Sequence, residues 1–173
     1  YNTASGDFKT IVKVAGAWAT GGTLNSARKY GAGTVGSGSN SSALAFGGED
    51  GAAMEETESY DGSSWTEVND LNTARYGAGG RGTTTAALAF GGTPGSGRAG
   101  ETEEFDGTNW TESGDLNTYR YRMAGAGIQT AALGAGGENA DGNNVDVVES
   151  YNGSTWSEIA DLNTARNGLC GGG

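Results

Sequence analysis

Three stretches decide how this chain folds: Tyr60-Asp61-Gly62-Ser63-Ser64-Trp65, Phe105-Asp106-Gly107-Thr108-Asn109-Trp110 and Tyr151-Asn152-Gly153-Ser154-Thr155-Trp156. Each places an aromatic residue, an Asx-Gly pair and two small polar residues before a tryptophan. Asp-Gly and Asn-Gly are strong hairpin signals, because a type I′ turn needs positive φ at both central residues. A strand is therefore predicted to end at each aromatic and another to begin at each tryptophan. Glu56 to Tyr60, with its β-formers and charges, reads as a half-exposed outer strand.

Working outward from these stretches, the whole chain is periodic. Trp18, Trp65, Trp110 and Trp156 are 47, 45 and 46 residues apart. Six residues after each stands a leucine (Leu24, Leu71, Leu116, Leu162), then Asn, and four positions beyond the leucine an arginine (Arg28, Arg75, Arg120, Arg166). An Ala/Leu-rich run closing on Gly-Gly follows at Ala43–Gly48, Ala86–Gly92 and Ala131–Gly137. Between Arg75 and the second such run, a further hairpin is predicted to turn near Arg81-Gly82. Each period thus parses into four short antiparallel strands. The Gly- and Ala-rich ones suit places where backbones crowd together, as near the axis of a radial assembly. One such sheet cannot bury both faces, so neighbouring repeats must cover it.

The Gly-Gly after an apolar strand, the aromatic before the turn, the spaced tryptophan and the arginine beyond it resemble kelch repeats over nearly the whole chain. The resemblance implies an all-β fold, a kelch-type β-propeller of four-stranded antiparallel blades with landmarks at Trp18, Trp65, Trp110 and Trp156. Residues 1–173 read as one kelch-like propeller domain. The first repeat is degenerate, since Val14-Ala15-Gly16-Ala17-Trp18 lacks the aromatic and the Asp-Gly turn. Near-identical copies such as Leu-Asn-Thr-Ala-Arg, at 71–75 and 162–166, resemble the kelch-like arrays in virion proteins of marine bacteriophages.

The blade count has two readings. Outer strands from Phe8 to Val14 and from Trp18 could join C-terminal inner strands in a fourth blade, locking a ring. Alternatively the chain is a segment of a larger propeller, and this is the reading favoured, because the sequence stops inside a strand pair.

Composition narrows the function. The 173 residues include 34 Gly, one Pro, one Cys and no His, with 21 acids against 10 bases and a net charge of −11. No basic stripe could track phosphates, so nucleic acid is not an expected partner. Cys170 has no partner for an internal disulfide, and without histidine no zinc-type ligand set is available. No apolar run approaches the ~20 residues that span a membrane. Some kelch propellers are copper oxidases that need histidine ligands, which this chain lacks. No nucleophile elbow, phosphate loop or metal helix is present. No cofactor, metal or catalytic residue is therefore assigned, and the chain is expected not to be an enzyme.

Candidate sites were weighed against architecture. Asp70, Asp115 and Asp161 each precede an arginine by five residues. They read as a structural ion pair or turn cap repeated with the blade, rather than as a ligand-binding ring of charge. The tryptophans, with Tyr60, Phe105 and Tyr151, read as blade-to-blade packing rather than sugar platforms. Asp141 to Asp146 faintly resembles a calcium loop but lacks the twelfth-position glutamate. Asn40, Asn109 and Asn152 head glycosylation triplets of a kind that chance supplies in such a composition. The variable connections after each Gly-Gly strand are expected to share a face with the blade-to-blade connections. Recognition usually resides in such loops, which makes Glu49, Asp50, Arg98, Glu138 and Asp141 the candidate partner-binding residues.

The function expected is a non-catalytic structural or adhesive module of a virus particle, such as a tail fibre or decoration protein. It would sit on the virion or an extracellular surface and bind a host protein, a surface glycan or neighbouring subunits. A homo-oligomer is compatible with it. The alternatives are an intracellular kelch adaptor and a carbohydrate-binding or carbohydrate-active propeller.

Overall fold

The computed structural model describes residues 22–35, 41–169 and 171, and these are all-β. The strand pair expected from Phe8 to Val14 and from Trp18, and Asn40 and Cys170, lie outside the described residues. Three four-stranded antiparallel meanders follow one another, one per repeat. Sheet one holds β1 (Ala32–Val35), β2 (Ala43–Phe46), β3 (Thr57–Tyr60) and β4 (Trp65–Val68). Sheet two holds β5 (Gly79–Thr83), β6 (Ala86–Phe90), β7 (Thr102–Phe105) and β8 (Trp110–Ser113). After the two-residue strand β9 (Arg120–Tyr121), sheet three is built from β10 (Ala124–Ile128), β11 (Ala131–Ala135), β13 (Val148–Tyr151) and β14 (Trp156–Glu158). Strand β12 (Glu138–Asn139) pairs with β9 outside the meander. The first strands of the three sheets, β1, β5 and β10, lie side by side. The arrangement is consistent with a propeller-like one.

Local chemistry explains the hairpins, with two corrections to the sequence reading. The Asx-Gly turns are four-residue connections, not two-residue type I′ turns, and only their glycines (Gly62, Gly107 and Gly153) are left-handed. The Asx side chain does the turning. Asp61 Oδ1 accepts from the amides of Ser63 and Ser64 at 2.8 and 2.9 Å, and Asp106 and Asn152 repeat the pattern. Those amides hold the Asp61 carboxyl down to about 2. The inner hairpin of sheet two turns at Thr84-Thr85, while Gly82 is a left-handed residue inside β5.

Packing between sheets explains the small residues. In β6, Ala87 and Ala89 face sheet one, while Leu88 and Phe90 face sheet three. Phe46 of sheet one lies across β5, where a Cβ on Gly80 would stand 2.7 Å from its ring. Glycine there is the consequence of the phenylalanine opposite. Trp110 and Trp156 each close the interface with the preceding sheet. Trp110 packs on Phe46 at 4.9 Å and donates its indole N–H to Thr57 Oγ1 at 3.1 Å. Trp156 repeats this with Phe90 at 4.8 Å and Thr102 at 2.9 Å. Trp110, Trp156, Phe105 and Tyr151 therefore pack between sheets, as the repeat pattern predicts, while Tyr60 and Trp65 pack on each other in sheet one.

The repeated charges hold a surprise. Glu58, Glu103 and Glu149 lie on the strand read as half-exposed, yet they are 1%, 0% and 0% exposed. Each takes an arginine from the loop that enters its sheet. Arg28–Glu58 and Arg75–Glu103 are 2.6 Å apart and Arg120–Glu149 is 3.2 Å. The same carboxylates accept the loop amides of Asn25 and Ser26, Asn72 and Thr73, and Asn117 and Thr118. The arginines donate onward to carbonyls of the 2–3 connection, Arg75 to Gly91 and Glu101. The repeated aspartates thus enter none of the ion pairs found among the described residues. Asp70 and Asp161 instead accept the amides of Thr57 and Val148 at 3.0 and 3.2 Å, tying the end of one strand to the start of another. Asp115 is exposed at the equivalent place.

Breaking a buried ion pair from one side strands the other charge, at about 3–5 kcal/mol. Arg120→Ala is therefore expected to cost that much in urea unfolding, with Glu149→Gln giving strongly non-additive losses in a double-mutant cycle. A second expectation concerns alkaline pH. Burial, with Glu104 accepting from its hydroxyl at 2.7 Å, raises Tyr151 to about 12. Because the folded value is raised, this contribution is intact below the unfolded tyrosine value of ~10 and is lost as pH rises through the folded one. Melting curves across that window should flatten in Tyr151→Phe.

Candidate functional site

The 2–3 connections and the inter-sheet loops share one end of the sheets, as the meander topology requires. Tyr76 and Thr93 exchange backbone hydrogen bonds there at 3.0 Å, and Lys29↔Glu49 and Tyr121↔Glu138 pair equivalently. Of the five candidate residues, the structure brings two together. Arg98 from the sheet-two connection meets Glu138 from the sheet-three connection at 2.6 Å. Arg98 also lies 3.8 Å over the Tyr121 ring, and Asn167 Nδ2 donates to the other Glu138 oxygen at 3.1 Å. Burial works to raise Glu138, but hydrogen bonds from Arg98 and Tyr121 outweigh it and lower its carboxyl. Glu49 stands apart, paired with Lys29 at 3.0 Å, while Asp50 and Asp141 are exposed at separate loop tips. The Asp141 turn is organised by Asn139, whose Oδ1 accepts from the amides of Asp141 and Asn143. Among the described residues no group of three His, Cys, Asp or Glu side chains could hold a metal ion.

The most distinctive geometry lies two residues beyond each repeated arginine. Tyr30, Gly77, Arg122 and Gly168 occupy this place, and all four are left-handed, with φ of 53, 62, 54 and 65°. Their backbones form a string in which Gly77 N donates to Tyr30 O at 2.8 Å, Arg122 N to Gly77 O at 2.7 Å and Gly168 N to Arg122 O at 2.9 Å. Together they line a cavity of about 530 Å³. Glycine suits such backbone; tyrosine and arginine do not, and left-handed geometry costs them roughly 1–2 kcal/mol. These are the two left-handed non-glycine residues among those described.

Their side chains join the Arg98 cluster. The Arg122 guanidinium lies 5.0 Å from the Tyr30 ring centre and 4.8 Å from that of Tyr121, and Tyr30 is 49% exposed. Arg122 enters none of the ion pairs found among the described residues. A row of alternating rings and cations, Tyr30, Arg122, Tyr121, Arg98, thus crosses the loop end of all three sheets. Tyr121 is buried within the row, so its open part can stack on flat or apolar groups through Tyr30 and donate hydrogen bonds from the half-buried Arg122. Sequence reasoning found Arg98 and Glu138 but missed Tyr30, Tyr121 and Arg122. The signal was present: two repeats carry glycine where the others carry Tyr30 and Arg122.

No family model matches the chain, and no curated protein matches it.

If Arg122 serves a ligand rather than the fold, Arg122→Gly trades the cation–π contacts for relief of the left-handed strain. Urea denaturation should place its stability within about 1 kcal/mol of the parent. A loss above about 2 kcal/mol would assign the residue to the scaffold.

Proposed function

We propose that the chain is a non-catalytic binding module: a kelch-type propeller, or a segment of a larger one, that presents its loop end to a partner. In the setting that the repeat style implies, it is a structural or adhesive component on the outside of a virus particle, engaging a host surface or neighbouring subunits. The observation that carries the binding reading is the Tyr30–Arg122–Tyr121–Arg98 row. It combines strained backbone at Tyr30 and Arg122, an arginine that enters none of the ion pairs among the described residues, and the exposed ring of Tyr30. Strain retained at one exposed and one half-buried position, Tyr30 and Arg122, fits a binding role better than a packing role. The remaining conspicuous charges support the same reading, since Arg28, Arg75 and Arg120 are consumed by structural pairs.

The test is capture by the full chain on fluorescent beads, screened against whole bacterial cells and purified surface polysaccharides. Saturable binding without release of cleaved sugar is expected. Arg122→Gly and Tyr30→Gly should each weaken it about tenfold or more without lowering the melting temperature. Sugar release would instead favour the carbohydrate-active alternative, and binding indifferent to both substitutions would remove the loop end from the reading.

A further inference from the structure

The cavity along the left-handed string is uneven in what it offers a ligand. Its volume of about 530 Å³ lies in the range of small-molecule sites, roughly 300–1,000 Å³. Part of its wall is apolar, from Ala78, Met123 and Leu169, and Tyr30 adds an exposed ring. Glycine makes the room. A Cβ on Gly77 would stand 3.0 Å from the Tyr121 ring and 3.5 Å from Arg122 Cγ. A Cβ on Gly168 would meet no atom within 4 Å, so this part of the string borders open space.

Most of the polar groups around the cavity are spent. The peptides of the string bond to one another, and Asn167 Nδ2 donates to Glu138. Arg98 is paired with Glu138 at 2.6 Å and Lys29 with Glu49 at 3.0 Å. Arg122 differs. The Tyr30 and Tyr121 rings flank its guanidinium at 5.0 and 4.8 Å, yet its N–H groups donate none of the hydrogen bonds found among the described residues. A planar fork of five donors is thus held beside an exposed phenol ring without an acceptor of its own.

Charge decides which acceptor fits. One uncommitted guanidinium balances one negative charge. A phosphate would bring close to two into a chain of net charge −11, near the Glu49 and Glu138 carboxylates. A carboxylate brings one, and its two oxygens match the guanidinium fork.

We infer that the cavity binds a carboxylate carried on a single flat-faced ring, with the carboxylate on Arg122 and the ring against Tyr30. The inference rests on the binding reading above and adds the chemistry of the ligand. Two sources present this chemistry: a uronic acid unit of a surface polysaccharide, and a free aromatic acid. Either ring offers a face without charge to the apolar wall, which asks for no hydrogen bonds.

The test titrates the full chain with glucuronate and with benzoate, each beside its neutral counterpart, glucose or benzamide, by ligand-observed NMR. At least one carboxylate should bind saturably, about tenfold or more tighter than its counterpart. Glucuronate as the tighter of the two assigns the polysaccharide source, and benzoate the free acid. Arg122→Gln should erase the advantage over the neutral counterpart. Arg122→Lys, which keeps the charge without the fork, should restore only part of it. Melting curves of both variants check that the fold is intact. The inference is overturned if neither carboxylate outbinds its counterpart, if the advantage survives Arg122→Gln, or if inorganic phosphate binds more tightly than both. Bead capture that depends on Arg122 but is not competed by either carboxylate would overturn this ligand class and leave the binding reading standing. Carboxylate binding through Arg122, with bead capture indifferent to that residue, would do the reverse.

Discussion

Everything in this fold hangs on a carboxylate that is taken out of water and then fully satisfied. Each buried glutamate receives an arginine and the amides of the loop leading into its sheet, so neither charge is left bare. Removing two charges from water costs several kcal/mol per ion, and only dense hydrogen bonding repays it. The return is geometric. The loop is pinned to the third strand of the sheet it enters, while its backbone is bonded to the 2–3 connection of the sheet it leaves, through Leu71 N to Glu55 O and Arg75 N to Met54 O. Spacing and tilt between sheets are thereby fixed by polar contacts. The thin, alanine-rich layers between them can then pack with few bulky side chains.

The apolar part of each interface follows from that spacing. With the sheets held at a set distance, one phenylalanine and one tryptophan bridge the gap, and glycine or alanine must stand opposite. The chain's low hydrophobic content of 35% is thus enough, because each interface needs few large side chains. It also explains how Thr57 and Thr102 come to be buried: each accepts a hydrogen bond from a buried indole N–H.

Much of the fold was legible in the sequence. Strand order, the register around each Asx-Gly, and the packing role of the tryptophans follow from local spacing, and local spacing is what periodicity reports. The glutamates were misread for the same reason. In Thr-Glu-Glu-Phe, a charged residue alternating with β-formers looks solvent-facing, and nothing nearby shows that Arg75, 28 residues earlier, will cover Glu103. The Asx-Gly turns were misassigned because the same dipeptide serves two geometries, and here the side chain caps the loop. The candidate site was half visible. Variability pointed to Arg98 and Glu138, whose contact depends on how two sheets stack. Tyr30 and Arg122 look like ordinary surface residues until set beside Gly77 and Gly168.

The backbone string through Tyr30, Gly77, Arg122 and Gly168 has a mechanical consequence. All three of its bonds run in one sense, each amide reaching back to the carbonyl of the repeat before it. Peptide groups joined this way polarise one another. They also move as a unit, since displacing one loop stretches the bonds on either side. Whatever presses on Arg122 therefore works against the loops of all three sheets at once. The loop end behaves as a single stiff rim rather than as separate fingers.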